Sequence, residues 1–183
     1  MNARKSARKT ERFHQIPIFS NLGAGEVARI LAITETNTIA PGTDIFEPGA
    51  PADGFYIIDE GRVDIRMPTE KGDDVTTIAT LSDRSVFGEM SFLGQRPRSA
   101  FATAVSETRL KRVQGPDFRA LLDKGDVAAY KVIYNFAILI SSRLRRVENE
   151  LLHVLERIAP DTKEEKLAEL QQFRQTLFQE WSF

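Results

Sequence analysis

The chain has 183 residues, of which 42% are hydrophobic, which is enough for one domain with a sizeable core and too little for two full domains. Its net charge of -1 provides no overall basic field for binding nucleic acid. Cysteine is absent, which excludes disulfides, thiolate metal sites and cysteine nucleophiles, and the only histidines, His14 and His153, lie in no metal-binding or catalytic motif.

The first predicted segment, residues 1–15, is a basic N-terminal arm with cationic side chains at helical spacing: Arg4, Lys5, Arg8 and Lys9. No apolar core of a secretory signal follows these residues, so the protein is predicted to be cytoplasmic. The expectation for the arm is a solvated tail. An arm that binds nucleic acid or a membrane surface is the alternative.

The second predicted segment, residues 16–125, is a folded domain. A helical lead-in covers 16–33, and short strands follow at 55–58, 63–67, 75–81, 100–105 and 108–113. Val63, Ile65 and Met67 alternate with polar residues, as in a half-buried strand. Turns are predicted at Glu60-Gly61 and at Lys71-Gly72-Asp73. Strands this short and this closely spaced favour a β-sandwich or barrel over alternating β-α units.

A short helix, opened by Gly115-Pro116-Asp117, precedes the third segment, a long helix over residues 126–159. Apolar residues recur along the long helix at alternating spacings of four and three: Ile133, Ala137, Ile140, Leu144, Val147, Leu151, Val154 and Ile158. This narrow seam predicts a parallel two-stranded coiled coil and a homodimer, and a helix buried in a monomer is the alternative. Polar residues interrupt the apolar stretch and argue against a membrane span: Lys131, Asn135, Ser141 and Ser142.

The fourth segment, residues 160–183, is predicted to be an amphipathic helical tail with an apolar face of Leu167, Leu170, Phe173, Leu177 and Trp181. The segment is too short and too acidic for a winged helix-turn-helix domain, so DNA binding is not expected. Packing within its own dimer is the expectation for the tail. Exchange between protomers and docking on a partner are the alternatives.

The stretch from Phe87 to Ala100 combines a glycine, an acid and an arginine in one short loop. Gly88 allows a ligand to approach the backbone closely, and Glu89–Leu93 are predicted to form one helical turn. Arg98 can hold a phosphate with two hydrogen bonds, and Glu89 can accept a hydrogen bond from a sugar hydroxyl. The stretch therefore predicts a small ligand that is anionic at one end and hydroxylated nearby. The alternative is that Glu89 and Arg98 pair with each other and staple a hairpin.

The stretch Phe87–Ala100 resembles the phosphate-binding cassette of the cyclic nucleotide-binding domain family, which includes catabolite-activator-like regulators and regulatory subunits of cyclic-nucleotide-dependent kinases. The run from Gly49 to Ile65 is similar to that family's turn-strand-glycine-strand pattern. The resemblance implies an α+β, mainly β fold, namely a jelly-roll β-barrel with flanking helices. It implies that Glu89 binds the ribose 2′-hydroxyl and Arg98 the cyclic phosphate. The full set of ligand-binding residues that it implies is Gly88, Glu89, Met90, Ser91, Arg98, Ser99 and Ala100.

The same resemblance implies that the long helix covers the nucleotide base, with Arg143 near the ligand. The catabolite activator has two hydroxyl residues where this chain has Val147 and Glu148, so the base-reading end departs from that pattern. Glu148 or Asn149 is the candidate acceptor from an adenine amino group. Cyclic AMP is the predicted ligand, and cyclic GMP is the second candidate.

These observations predict a stand-alone, non-enzymatic receptor without a metal, which signals through a dimer to a protein partner. No residues supply a base, a nucleophile and an oxyanion site together. Two alternatives stay open. One is a dimerisation or scaffold module with an unused cassette, and the other is a DNA-associated regulator that acts through the basic arm.

Overall fold

The computed structural model describes residues 13–69 and 74–156. The chain divides into two compact units, Met1–Ala137 and Ile138–Phe183. The four-segment division, 1–15, 16–125, 126–159 and 160–183, stays a prediction. The basic residues of the arm, the Lys71-Gly72-Asp73 turn and the 160–183 tail lie outside the described residues.

The described residues of the first unit form eight strands: β1 Thr34–Ile39, β2 Asp44–Phe46, β3 Gly54–Glu60, β4 Val63–Pro68, β5 Val75–Leu81, β6 Val86–Phe87, β7 Phe101–Ala104 and β8 Thr108–Gln114. They form two four-stranded antiparallel sheets, with strand orders β1-β8-β3-β6 and β2-β7-β4-β5. This arrangement is a jelly roll, and the predicted fold class is confirmed.

A 3-10 helix at Pro17–Phe19 and helix α1, Ala24–Ala32, precede the barrel. Helix α2, Glu89–Leu93, lies between β6 and β7, and α3, Gly115–Asp123, follows β8. Helix α4, Val127–Glu156, begins in the first unit, and the Asp126 carboxylate accepts a hydrogen bond from the Ala128 amide at its start. The predicted lead-in, cassette turn and proline-opened helix are therefore confirmed.

The barrel core is made of residues that alternate inward along the strands and pack as one cluster: Tyr56, Ile58, Val63, Phe87, Ala102 and Leu110. Strand β4 departs from the predicted alternation. Val63 is buried, but the side chain of Met67 is 40% exposed. The pairing of β4 with β7 runs from Val63 to Arg66, so Met67 lies beyond it, near the end of the strand.

An aromatic cluster joins the cassette helix α2 to β3, α3 and the part of α4 that lies in the first unit. The Phe55 ring of β3 lies 5.6 Å from Phe92 of α2, 5.4 Å from Phe118 of α3 and 4.9 Å from Phe136 of α4. All four side chains are buried. Burying each ring contributes about 1.5–3 kcal/mol, so this cluster fixes α2 against the barrel.

Helix α4 includes a stretch, Val127–Glu150, that is the one described segment long and apolar enough to cross a membrane by length and composition alone. A core helix of a soluble protein meets the same criterion. Within this stretch the Asn135 amide donates to the Ile18 carbonyl oxygen at 2.9 Å, and Lys131 pairs with Glu26 at 2.7 Å. The absence of a membrane span stays a prediction.

Candidate cyclic-nucleotide cassette

The Phe87–Ala100 stretch folds as β6, a glycine, the single turn of α2 and a loop that returns to β7. Gly88 precedes α2 with a φ of 76°, in the left-handed region that other residues avoid. A Cβ atom at this position would lie 2.7 Å from Nη1 of Arg98. Glycine is therefore required here twice, by its backbone angle and by the close approach of the arginine.

The Arg98 backbone is fixed by the turn that precedes β3. Its amide donates to the Ala50 carbonyl oxygen at 2.9 Å, and its carbonyl oxygen accepts from the Gly49 amide at 2.8 Å. These paired bonds hold the cassette loop against a segment almost fifty residues earlier in the chain. Arg98 is therefore positioned by the two regions that carry the family resemblance.

The Arg98 side chain is buried, with 3% of the residue exposed, and its contacts hold the guanidinium in one orientation. Nη1 donates to the Gly88 carbonyl oxygen and Nη2 to the Gly54 carbonyl oxygen, both at 2.8 Å. The guanidinium carbon lies 4.5 Å from the centre of the Phe46 ring. Cation–π attraction of this kind contributes about 0.5–2 kcal/mol and offsets part of the cost of burying the charge.

The Nε–H group of Arg98 is a donor that no described residue satisfies. Its Nε is buried and has no hydrogen-bond partner within residues 13–69 and 74–156. Burial lowers the pKa of Arg98, and the neighbouring Tyr56 and Asp53 oppose that shift. An arginine nevertheless stays protonated in proteins, so the site holds a fixed positive charge with a donor to spare.

Glu89 is the first residue of α2 and is 1% exposed. A buried carboxylate requires hydrogen-bond donors, and a ligand hydroxyl can be one of them. The structure therefore places the predicted acid and base in the same cassette and buries both. Whether Glu89 and Arg98 bind ligand stays a prediction.

The remaining predicted cassette residues differ in exposure. Met90 is 63% exposed and Ser99 is exposed, whereas Ser91 is half-buried and Ala100 is buried. The predicted base-contacting residues lie on α4 in the second unit. There Arg143 is half-buried and Val147, Glu148 and Asn149 are exposed. Their contact with a base stays a prediction.

The contacts of the cassette also involve residues that the sequence patterns do not single out. Phe46 and Tyr56 line Arg98 with their rings, and Asp53 places a carboxylate oxygen 3.5 Å from Nη2 of Arg98. Arg112 of β8 pairs with the same carboxylate. Phe46, Asp53 and Tyr56 lie more than forty positions before Arg98 in the chain, and the fold of the barrel brings them to it.

Comparison with known proteins identifies relatives of this chain. The family model described as "Cyclic nucleotide-binding domain" matches residues 36–125. A Rhodopseudomonas palustris protein whose name describes a potassium channel is 37% identical over 119 residues, covering 64% of this chain and 28% of its own length. The cyclic AMP receptor protein of Thermus thermophilus is 33% identical over 135 residues, covering 74% of this chain and 60% of its own.

A solved structure of the Thermus thermophilus catabolite activator protein superposes with a TM-score of 0.67 at 32% identity. The alignment covers 76% of this chain and 64% of that one. The chain thus spans between about a quarter and two thirds of the length of these relatives. The residues that match the family model, 36–125, include the stretch Phe87–Ala100.

Proposed function

Because the chain belongs to the cyclic nucleotide-binding domain family, we propose that it is a non-enzymatic receptor for a cyclic nucleotide, with cyclic AMP as the preferred ligand. The observation that carries this proposal is the geometry of Arg98. Its guanidinium is buried, anchored by the carbonyl oxygens of Gly54 and Gly88, and keeps an unpartnered Nε donor within the described part of the chain. A cyclic phosphate supplies the single negative charge and the acceptor oxygens that this donor requires.

Glu89 completes the proposal at the sugar end of the ligand. Its buried carboxylate accepts a hydrogen bond from the ribose 2′-hydroxyl. Ser99 and the backbone at Met90 and Ala100 surround the phosphate. Hydrogen bonds to charged groups contribute about 1.5–3 kcal/mol each, so either side chain accounts for roughly ten- to a hundredfold in affinity.

Calorimetric titration of the purified chain with cyclic AMP and cyclic GMP tests the proposal. We expect heat with both and tighter binding of cyclic AMP. No heat at millimolar concentrations of either nucleotide would refute the receptor function and leave the scaffold alternative.

Arg98→Lys is a sharper variant at the phosphate end than Arg98→Leu, because leucine would remove the charge together with the donors to the Gly54 and Gly88 carbonyl oxygens. Lysine keeps the positive charge but lacks the planar set of guanidinium donors, and we expect the affinity for cyclic AMP to fall about ten- to a hundredfold. Arg96→Lys, two residues away and exposed, is the matched control and should bind as the wild type does. Unchanged affinity in Arg98→Lys would remove Arg98 from the phosphate site.

Glu89→Gln tests the sugar end with 2′-deoxy cyclic AMP as a second ligand. The wild type should prefer cyclic AMP over the deoxy form by about tenfold or more, because only cyclic AMP offers the 2′-hydroxyl. That preference should shrink in Glu89→Gln. An unchanged preference would show that another group reads the hydroxyl.

The proposal further includes a homodimer along the Ile133–Ile158 seam. Leu144 and Val147 support it, because they are 45% and 63% exposed on α4. The side chains of Leu151 and Val154, and all of Ile158, lie outside the described residues. Leu144→Glu should shift the protein to monomers in light scattering after gel filtration, whereas Ser142→Glu should not. A Leu144→Glu variant that stays dimeric would contradict the seam.

The output of the receptor belongs to the same proposal. Ligand shifts a two-state equilibrium by its differential affinity for the two states, and the dimer passes the change to a protein partner in the cytoplasm. A cytoplasmic location is part of the proposal. It is supported by the bonds of Lys131 and Asn135 on α4 to Glu26 and Ile18 of the first unit, which argue against a membrane span. Arg143, Val147, Glu148 and Asn149 are the proposed contacts to the base.

A further inference from the structure

The Asp53 carboxylate lies between two guanidinium groups. Its Oδ1 is 3.5 Å from Nη2 of Arg98, and its Oδ2 pairs directly with Nη2 of Arg112. The Asp53 backbone is held independently, because its carbonyl oxygen accepts from the Gly115 amide at 2.8 Å. The carboxylate is thus the shared partner of a buried and a partly exposed arginine, and its closer bond is to Arg112.

Arg112 lies on the Arg98 side of the sheet. In the β3–β8 register it is directly opposite Tyr56, and opposed residues of an antiparallel pair project on the same face. The Arg98 guanidinium carbon is 5.6 Å from the Tyr56 ring. The Nε atom of Arg112 is buried without a hydrogen-bond partner among the described residues. Strand β1 pairs with β8 on the edge opposite to β3, and there Glu35 is directly opposite Arg112 and is exposed.

The two arginines are close enough to influence each other. Burial is the main cause of the lowered pKa of Arg98, the charge of Arg112 lowers that pKa further, and Asp53 raises it. The three groups together carry one net positive charge. A cyclic phosphodiester carries one negative charge, which the net positive charge of these three side chains balances.

Without Arg112 the balance changes. Arg98 and Asp53 alone would form a neutral pair, and an incoming phosphate would have to compete with the carboxylate for the guanidinium. We propose that Arg112 is a positioning residue, which holds the Asp53 carboxylate and thereby keeps the charge of Arg98 available to the anionic ligand. This inference rests on the proposed function and concerns the phosphate end of the same site.

Calorimetric titration of the full chain with cyclic AMP tests it by a double-mutant cycle. Arg112→Gln should weaken binding about tenfold, because Asp53 is then free to close on Arg98. Asp53→Asn/Arg112→Gln should recover affinity to within about threefold of the wild type, because the competing carboxylate is gone. Arg112→Lys, which keeps a charge for Asp53, should also stay close to the wild type.

Arg109→Gln is the matched control. Arg109 is on the same strand and bonds to Asp59 at 2.9 Å and Glu60 at 3.0 Å, so its loss removes an equal charge from β8 outside the Arg98 contacts. The affinity of Arg109→Gln for cyclic AMP should stay within about twofold of the wild type, since an exposed ion pair contributes little. Thermal unfolding of every variant precedes the titrations.

The outcomes separate this inference from the proposed function. Wild-type affinity in Arg112→Gln, or equal losses in Arg112→Gln and the double variant, would overturn the positioning role while the receptor function stands. If Arg112→Gln does not fold, Asp53→Asn decides: it should bind at least as tightly as the wild type, and a tenfold loss would overturn the role. Absence of binding to the wild type would overturn both.

Discussion

Replacing Gly88 with alanine separates the two reasons for glycine at the start of the cassette helix. A side chain at a φ of 76° costs about 1–2 kcal/mol of folding stability. The new Cβ would also lie 2.7 Å from Nη1 of Arg98, so the guanidinium must shift, and we expect it to lose its bond to the Gly88 carbonyl oxygen. Losing a hydrogen bond of that kind costs about 1.5–3 kcal/mol of folding stability. If the displaced guanidinium no longer meets the phosphate, the lost contact lowers cyclic AMP affinity by roughly ten- to a hundredfold.

Gly42→Ala is the control for this prediction. Gly42 has a φ of 80°, yet a Cβ there would meet no atom within 4 Å. Urea denaturation should therefore show about 1–2 kcal/mol of destabilisation in Gly42→Ala and a larger loss in Gly88→Ala. Calorimetry should show weaker cyclic AMP binding in Gly88→Ala alone. Equal affinities in the two variants would refute the argument that the Gly88 contact orients Arg98.

Three further predictions concern stability. Phe136→Ala should lower the free energy of unfolding in urea by about 3–5 kcal/mol, because its ring is fully buried, and the exposed Tyr134→Ala should change it by less than about 0.5 kcal/mol. Bonding to Lys131 lowers the pKa of Glu26 below 4.5, so the pair stabilises the fold above pH 4.5 and that contribution is lost as the pH falls through the lowered pKa. The difference in unfolding free energy between the wild type and Glu26→Gln should therefore vanish in acid; a difference independent of pH would contradict it. Arg84 has a φ of 69°, so Arg84→Gly should raise stability by about 1 kcal/mol, and a loss would show that its side chain matters more than its backbone.

Much of the barrel could be predicted because local signals and tertiary structure agree. The alternation from Val63 and the Glu60-Gly61 turn correspond to β4 and to the β3–β4 turn, where Gly61 has a φ of 107°. Strand β1, Thr34–Ile39, carries mainly exposed polar side chains, so no apolar period marks it. Strand β6, Val86–Phe87, has two residues and is too short for any period. Both are defined by their partners β8 and β3.

The candidate site likewise contains residues that local sequence signals mark and residues that only the tertiary structure brings together. Glu89 and Arg98 could be proposed from the sequence because one loop contains them both and their chemistry is complementary to a single ligand, and their burial in the same cassette agrees with that proposal. Asp53 and Arg112 could not, because 59 positions separate them and only the β3–β8 pairing makes them neighbours. An aspartate before a strand and an arginine within another have many ordinary surface roles, and nothing local distinguishes these two.

The burial of Arg98 explains why its supporting contacts matter as much as the arginine itself. A buried charge destabilises the fold unless it is paired and hydrogen-bonded. Here two carbonyl oxygens, an aromatic ring and a shared carboxylate offset that cost before any ligand arrives. The guanidinium is thus already ordered, and a ligand that binds it loses little free energy to side-chain ordering. The same contacts set a limit, because a carboxylate that neutralised Arg98 fully would stabilise the fold and weaken the site. A second arginine that shares the carboxylate resolves this conflict, which is why Arg112 belongs in the account of the cassette.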